Sequence, residues 1–211
     1  VSSLPVVLLG AGGHARVVRD VIGLRGLTPV GVSAPELAKG IAWHGLVAVG
    51  DDDAVLQMGG QQVLLANGIG VIPGQAVRVR VHQRFQAQGF RFVTLVHPSA
   101  VLAACVELGE GVQVMAGAVI QPGSRIADGV VVNTGALVDH ECHIEQHAFI
   151  GPGATLCGQV RVEARAFIGA GAVVLPGVTV KRNTVVGAGA VVVCTVEAGT
   201  TVVGNPARCV S

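Results

Sequence analysis

The sequence predicts an α/β plus all-β chain, with a small parallel α/β domain over residues 1–95 and a parallel β-helix over residues 96–211. Three observations carry this. An aliphatic residue recurs at every sixth position from Leu102 to Val192, and the residues before it alternate strand-like and helix-like runs. The composition favours small aliphatic side chains, with 51% hydrophobic residues and 31 glycines but only 3% aromatics. A chain of 211 residues can also bury two cores without disulfide or metal staples.

The series runs Leu102, Leu108, Val114, Ile120, Ile126, Val132, Val138, Ile144, Ile150, Leu156, Val162, Ile168, Val174, Val180, Val186 and Val192. Small or β-branched residues stand two positions ahead, among them Ala118, Ser124, Ala136, Cys142, Ala148, Ala154, Ala166, Ala172 and Thr184. Both sets point inward. An α-helix cannot produce this pattern, because a six-residue stripe drifts around a 3.6-residue turn. A coil of short strands can: three hexads close one turn, and the next turn stacks about 4.8 Å above it. Gly111, Gly117, Gly123, Gly129 and Gly135 share one phase, where the chain bends and glycine supplies an unusual φ. A sandwich of alternating strands would not hold so strict a phase.

In the first domain, Val6 to Leu9 reads as a buried strand, followed by Gly10-Ala11-Gly12-Gly13-His14-Ala15 and a helix with Val17, Val18, Val21 and Ile22 on one face. Further strands are expected near Val30–Val32, Leu46–Val49, Val63–Ala66 and Phe92–Leu95, and helices near Ala54–Met58 and Gln75–Gln88. A glycine turn ahead of a helix cradles a pyrophosphate, since free N–H groups and the helix dipole both favour anions. The same glycines would also permit close packing of helix on strand. A dinucleotide enzyme places an acid at the end of the second strand to hold a ribose, but that stretch here reads Val32-Ser33-Ala34-Pro35, which disfavours NAD.

One part of the coil departs from plain turn composition: Asn133-Thr134-Gly135-Ala136-Leu137-Val138-Asp139-His140-Glu141-Cys142. The phase makes Val138 and Cys142 inward, so His140 and Glu141 project from the corner between them. An imidazole beside a carboxylate is suited to general-base work, although an isolated pair of this kind is more often a solvated surface feature.

This segment resembles the sugar acetyltransferase branch of the hexapeptide-repeat acyltransferases, in which N-T-G-A-x-V-D-H-[DE]-C carries the catalytic histidine and its carboxylate partner. The opening glycine motif and the closing Gly204-Asn205-Pro206-Ala207-Arg208 are similar to that family as well, so the resemblance spans the chain. It implies a left-handed coil, a Rossmann-like first domain that binds a nucleotide-linked amino sugar, and a homotrimer with active sites between subunits. It further implies acetyl-CoA as cosubstrate, His140 as base, Glu141 as the group that orients it, and an oxyanion contact from the Gly158 N–H, one turn above His140. Ala170 and Ala188, themselves one turn apart, would back the cofactor with Pro206 and Arg208, while Gly12, Gly13, His14, Ala15 and Asn133 would touch the substrate. Within the family the pattern is nearest to the GDP-perosamine N-acetyltransferases. Two departures stand out: the family's second histidine is Phe149 here, and the acidic pair that uridine-using members often carry near the base is replaced by Ser33-Ala34-Pro35. A UDP-linked 4-amino sugar, O-acetylation of a sialic-acid-type hydroxyl, a non-catalytic nucleotide sensor on a coiled scaffold, and a γ-type carbonic anhydrase are the alternatives.

The remaining features narrow the classes. A formal net charge of +1 with 13% charged residues gives no stripe for a nucleic-acid backbone. Cys105, Cys142, Cys157, Cys194 and Cys209 form no C-x-x-C pair, which fits a reducing cytoplasm and neither a disulfide framework nor a zinc knuckle. The inward Cys142 is no nucleophile, so no acetyl-enzyme is expected. His140, His143 and His147 occupy different hexad phases and radiate apart, so no metal is expected. His44, His82 and His97 read as structural or surface residues. The apolar run Leu4 to Leu9 is too short to span a membrane, lacks a basic lead, and reads as a strand rather than a signal peptide.

Overall fold

Val6–Leu9 is an unbroken aliphatic run, and in the computed structural model, which describes residues 4–210, it is the fully buried strand β1. The chain then forms α1 (Gly13–Leu24), β2 (Pro29–Ser33), β3 (Ala42–Trp43), β4 (Leu46–Gly50), α2 (Asp52–Leu56), β5 (Leu64–Asn67), α3 (Val77–Ala87) and β6 (Arg91–Phe92). These strands make one sheet in the order β3-β4-β2-β1-β5-β6, parallel except for the β3–β4 hairpin. Strands buried on both faces suit a parallel sheet with helical crossovers. The hairpin was not expected, because two residues are too few to show a period; it turns on His44 and Gly45, both with positive φ.

Two further details differ from expectation. Helix α1 buries Ala15, Val18, Val21 and Ile22, while Val17 faces solvent. The run Phe92–Leu95 is not one strand: Arg91–Phe92 pairs with β5, and Leu95–Val96 is a separate two-residue strand. The chain accordingly divides into two units, Val1–Leu95 and Val96–Ser211.

The second unit is a parallel β-helix of two-residue strands, each paired with the strand eighteen residues on. Its first face stacks Gln113–Val114, Val131–Val132, Phe149–Ile150, Phe167–Ile168 and Val185–Val186. The second runs from Val101–Leu102 to Val191–Val192, and the third from Glu107–Leu108 to Thr179–Val180. The hexad aliphatics from Val114 to Val192 are all buried, as are the small residues that precede them, and they form one continuous core. Leu102 and Leu108, at the first turns, are partly buried against it.

Where the chain turns a corner, φ is positive. Gly111, Gly117, Gly123, Gly129 and Gly135 take values between 65° and 74°. Glu141, His147, Gln159, Arg165 and Asn183 hold the same left-handed conformation, at 57° to 62°, without being glycine. After Val192 the chain returns as Thr201–Val203, parallel to Val185–Val186, and closes with Arg208–Cys209 in antiparallel pairing. Among the described residues no helix is long and apolar enough to cross a membrane.

Candidate active site

His140 and Glu141 stand at the corner between the second and third faces, with Val138 and Cys142 buried on either side. Their side chains are 54% and 58% exposed, and His140 Nδ1 lies 3.3 Å from Glu141 Oε2. The turn is braced from inside. Ser124, fully buried one coil below, donates its hydroxyl to the Asp139 carbonyl at 2.8 Å and accepts from the Cys142 N–H at 3.1 Å. The Asp139 carboxylate accepts from the His140 N–H at 2.8 Å.

One coil above, Gln159 Nε2 donates to Glu141 Oε2 at 2.9 Å, and the Gln159 N–H donates to the His140 carbonyl at 2.9 Å. The hydrogen bonds from Gln159 and then from His140 hold the Glu141 carboxyl below its ordinary range. It is therefore an anion at neutral pH, able to accept from Nδ1–H and leave Nε2 as the basic nitrogen.

Gly158 lies against the imidazole. A Cβ at this position would stand 2.5 Å from His140 Nε2 and 2.7 Å from Cε1, so only glycine leaves the ring where it is. The Gly158 N–H donates to no carbonyl among the described residues, although Gly158 accepts from the Gly177 N–H. The imidazole thus packs on the backbone of the buried Gly158, one turn above it. Cys142 adds no nucleophile here. Burial pushes its thiol up to about 11, and its Sγ donates to the Cys157 carbonyl at 3.2 Å.

A concavity of about 400 Å³ opens in the first unit beyond the carboxyl ends of β1, β2 and β5. Gly10 to His14 line it, with Ser33, Glu36, Asp52 and Gly68 to Gly70. A Cβ at Gly12 or Gly13 would meet nothing within 4 Å, so these glycines border open space and do not serve close packing. That role falls to Ala15, which is buried and abuts Gly68. Helix α1 has no side-chain cap and no acid in its first turn, and its start lines the cavity with its positive dipole end. Ser33 borders the same space, and its hydroxyl is buried with no hydrogen-bond partner among the described residues.

Behind the cavity, the buried Arg78 donates to the carbonyls of Asn67 at 2.8 Å and Ile69 at 2.7 Å, fixing the loop after β5. Burial lowers its guanidinium to about 9, so the cation persists at neutral pH. Desolvation raises Asp52 on the cavity wall, against the opposing pull of Arg84, whose Nη1 lies 3.1 Å away.

Ala170 and Ala188 share a corner, but it is the one between the first and second faces. Asn133 stands on that corner too, with its Oδ1 accepting from the Thr134 N–H at 2.8 Å. One chain therefore carries His140 and Gly158 along one edge of the second face, and Asn133, Ala170 and Ala188 along the other. Pro206 and Arg208 are exposed in the returning tail, which bonds through Gly204 and Ala207 to Val191, three residues past Ala188. Phe149 lies on the first face, buried and stacked on Phe167 with ring centroids 4.8 Å apart, away from the His140 corner.

Residues 141–175 and 159–193 match the bacterial transferase hexapeptide (six repeats) family. The structure of PerB from Caulobacter crescentus in complex with CoA and GDP-perosamine is 38% identical, covers 100% of this chain and 99% of its own, and superposes with a TM-score of 0.90. The acetyltransferase domain of PglB from Neisseria gonorrhoeae is 32% identical over 98% of this chain and 99% of that one, also at a TM-score of 0.90. The chain belongs to the hexapeptide-repeat sugar N-acetyltransferases. The coil is therefore the left-handed β-helix of that family. The UDP-N-acetylbacillosamine N-acetyltransferase of Bacillus subtilis (strain 168) is 33% identical over 117 residues, 53% of this chain and 51% of that protein, so the match spans about half the relative's length.

As a hexapeptide-repeat sugar N-acetyltransferase, the chain shows three site residues that its sequence pattern does not announce. Gln159 is separated from Glu141 by a whole turn, and its only sequence signal is a non-glycine at a glycine phase. Ser33 reads as the absence of an acid, and Glu36 lies just beyond the stretch where an acid is sought. Among the described residues no three His, Cys, Asp or Glu side chains converge as a metal site would require.

Proposed function

We propose that this chain transfers acetyl from acetyl-CoA to the 4-amino group of a nucleotide-linked 4-amino-4,6-dideoxy sugar, GDP-perosamine, with His140 as general base. The observation that carries the reading is the His140 corner, where the imidazole lies between the Glu141 carboxylate at Nδ1 and the Gly158 backbone at Nε2. His140 Nε2 takes the proton from the sugar amine as the amine attacks the thioester carbonyl. The Gly158 N–H donates to the carbonyl oxygen as negative charge develops on it, and Glu141 steadies the imidazolium through Nδ1–H; as the carbonyl re-forms the C–S bond breaks, and the leaving CoA thiolate takes the proton back from His140 Nε2. Attack is direct, since Cys142 is buried and protonated.

The nucleotide carrier fits the first-unit cavity, with its diphosphate at the uncapped start of α1 and the Ser33 hydroxyl as an added donor. Guanine presents adjacent N–H donors that suit a carboxylate, and Glu36 supplies one on the cavity wall. The full-length likeness to PerB, solved with GDP-perosamine, supports the same carrier. A UDP-linked 4-amino sugar is the second reading, favoured by the likeness to the Bacillus subtilis enzyme. The arrangement of the two edges supports a homotrimer in which neighbouring coils share each cleft, because a single coil offers only convex or flat walls. A cytoplasmic location suits a reaction that draws on acetyl-CoA.

The test is turnover of GDP-, UDP- and dTDP-linked 4-amino sugars with acetyl-CoA, followed by release of free thiol. GDP-perosamine is expected to be fastest, and equal rates on all three would remove the preference for guanine. His140→Asn is expected to lower kcat by at least about 10²-fold. Near-normal turnover of that variant would end the general-base reading.

A further inference from the structure

One column of the corner that bears His140 consists of Gly123, Glu141, Gln159 and Gly177, all at positive φ. Glycine adopts this conformation freely and other L-residues resist it. The two positions that are not glycine are stacked neighbours, and their side chains bond to each other through Gln159 Nε2 and Glu141 Oε2. That same oxygen faces His140 Nδ1. The Gln159 main chain meanwhile holds the His140 carbonyl, so one residue of the upper turn grips both the carboxylate and the histidine's backbone.

We propose that Gln159 is a positioning residue, which fixes the Glu141 carboxylate in the rotamer that accepts from His140 Nδ1 and so commits Nε2 to the role of base. The inference rests on the reading of His140 as general base. An exposed ion pair of neighbours is weak, because two mobile side chains must be ordered against water. A third contact supplies that ordering. A neutral amide does so without offering a competing cation, as lysine or arginine would.

Gln159→Gly is the informative variant, since it matches Gly123 and Gly177 and relieves the backbone while deleting the amide. The full chain is assayed with whichever GDP-, UDP- or dTDP-linked 4-amino sugar the wild type turns over. The melting midpoint is expected to hold or rise, while kcat falls about tenfold at unchanged KM for both substrates. In a Glu141→Ala background the same substitution is expected to cost nothing further, because the two act as one unit. Full activity, an equal loss in both backgrounds, or a raised sugar KM with normal kcat would overturn the proposal.

Long-range ¹H–¹⁵N spectra of the His140 ring give a second readout that needs no substrate. The Nδ1–H tautomer is expected to dominate in the wild type and to mix with its alternative in Gln159→Gly; an unchanged tautomer would count against the role. If His140→Asn itself lost no activity, the general-base reading would fail, whereas an inert Gln159→Gly beside a dead His140→Asn defeats this proposal alone.

Discussion

Gly158→Ala separates catalysis from stability at a single atom. The new Cβ would stand 2.5 Å from His140 Nε2, 2.7 Å from Cε1 and 3.2 Å from Cδ2, where ordinary contact begins at 3.4 Å. The imidazole must therefore retreat by about 1 Å, and its half-exposed setting lets it do so toward solvent. The retreat loosens the 3.3 Å approach to Glu141, which is already near the limit of a hydrogen bond. A misplacement of about 1 Å at a catalytic group costs about 10²-fold in rate, equivalent to about 2.7 kcal/mol. The backbone at Gly158 is outside the left-handed region, so alanine fits it and restricts the unfolded chain, a gain of about 0.4–1 kcal/mol set against the ring's displacement. Thiol-release kinetics should show kcat down about 10²-fold while calorimetry finds the melting midpoint nearly unchanged. Turnover within about threefold of wild type would refute the placement of the ring over Gly158.

Two other perturbations probe the same turn. Ser124→Ala removes the buried acceptor for the Cys142 N–H and is expected to cost about 1–3 kcal/mol, visible as a lower unfolding midpoint; an unshifted midpoint would mean that the brace is dispensable. The fold favours the Glu141 anion, so its electrostatic contribution is present above the ordinary carboxyl value of 4.5 and disappears only as pH falls through the lowered native value. Carbon-13 titration of the side chain should therefore give a midpoint below 4.5, moving upward in Gln159→Gly, and a wild-type midpoint at or above 4.5 would contradict the hydrogen bond from Gln159.

The coil was legible because its core repeats: one aliphatic every six residues leaves no other regular structure able to bury them all. The outward projection of His140 and Glu141 followed from the same phase. Contacts between turns were not legible, because Gln159 meets Glu141 only after eighteen intervening steps of chain and nothing in a lone glutamine marks it as a partner. The non-glycines at a glycine phase were the available signal. The two edges of the second face were also within reach, since the separation of Ala170 from His140 is not a whole number of turns. In the first unit the strand, glycine turn and helix were plain, but the cavity wall depends on where β2 and β5 end, which places Ser33 and Glu36 beside Gly12. The two-residue hairpin at Ala42–Trp43 lay below the length at which any period can be read.

The split between those edges makes a prediction about whole assemblies. If acetyl-CoA lies between coils, His140 comes from one copy and the small corner at Ala170 and Ala188 from its neighbour. His140→Asn then disables the base of a cleft, while Ala188→Trp fills the opposite wall. A homogeneous preparation of either variant carries one lesion in every cleft. In a mixed assembly some clefts receive both lesions and others neither, because an intact cleft needs its histidine from an Ala188→Trp chain and its small wall from a His140→Asn chain. Random mixing of equal amounts makes about a quarter of the clefts intact, as independent choices at a symmetric interface require. Co-expressed chains with separable tags should therefore recover about a quarter of wild-type kcat per chain at the wild-type acetyl-CoA KM. If tag purification proves that hybrids have formed and activity stays at the parental level, base and wall belong to the same chain, and the shared cleft is wrong even though every distance at the His140 corner stands.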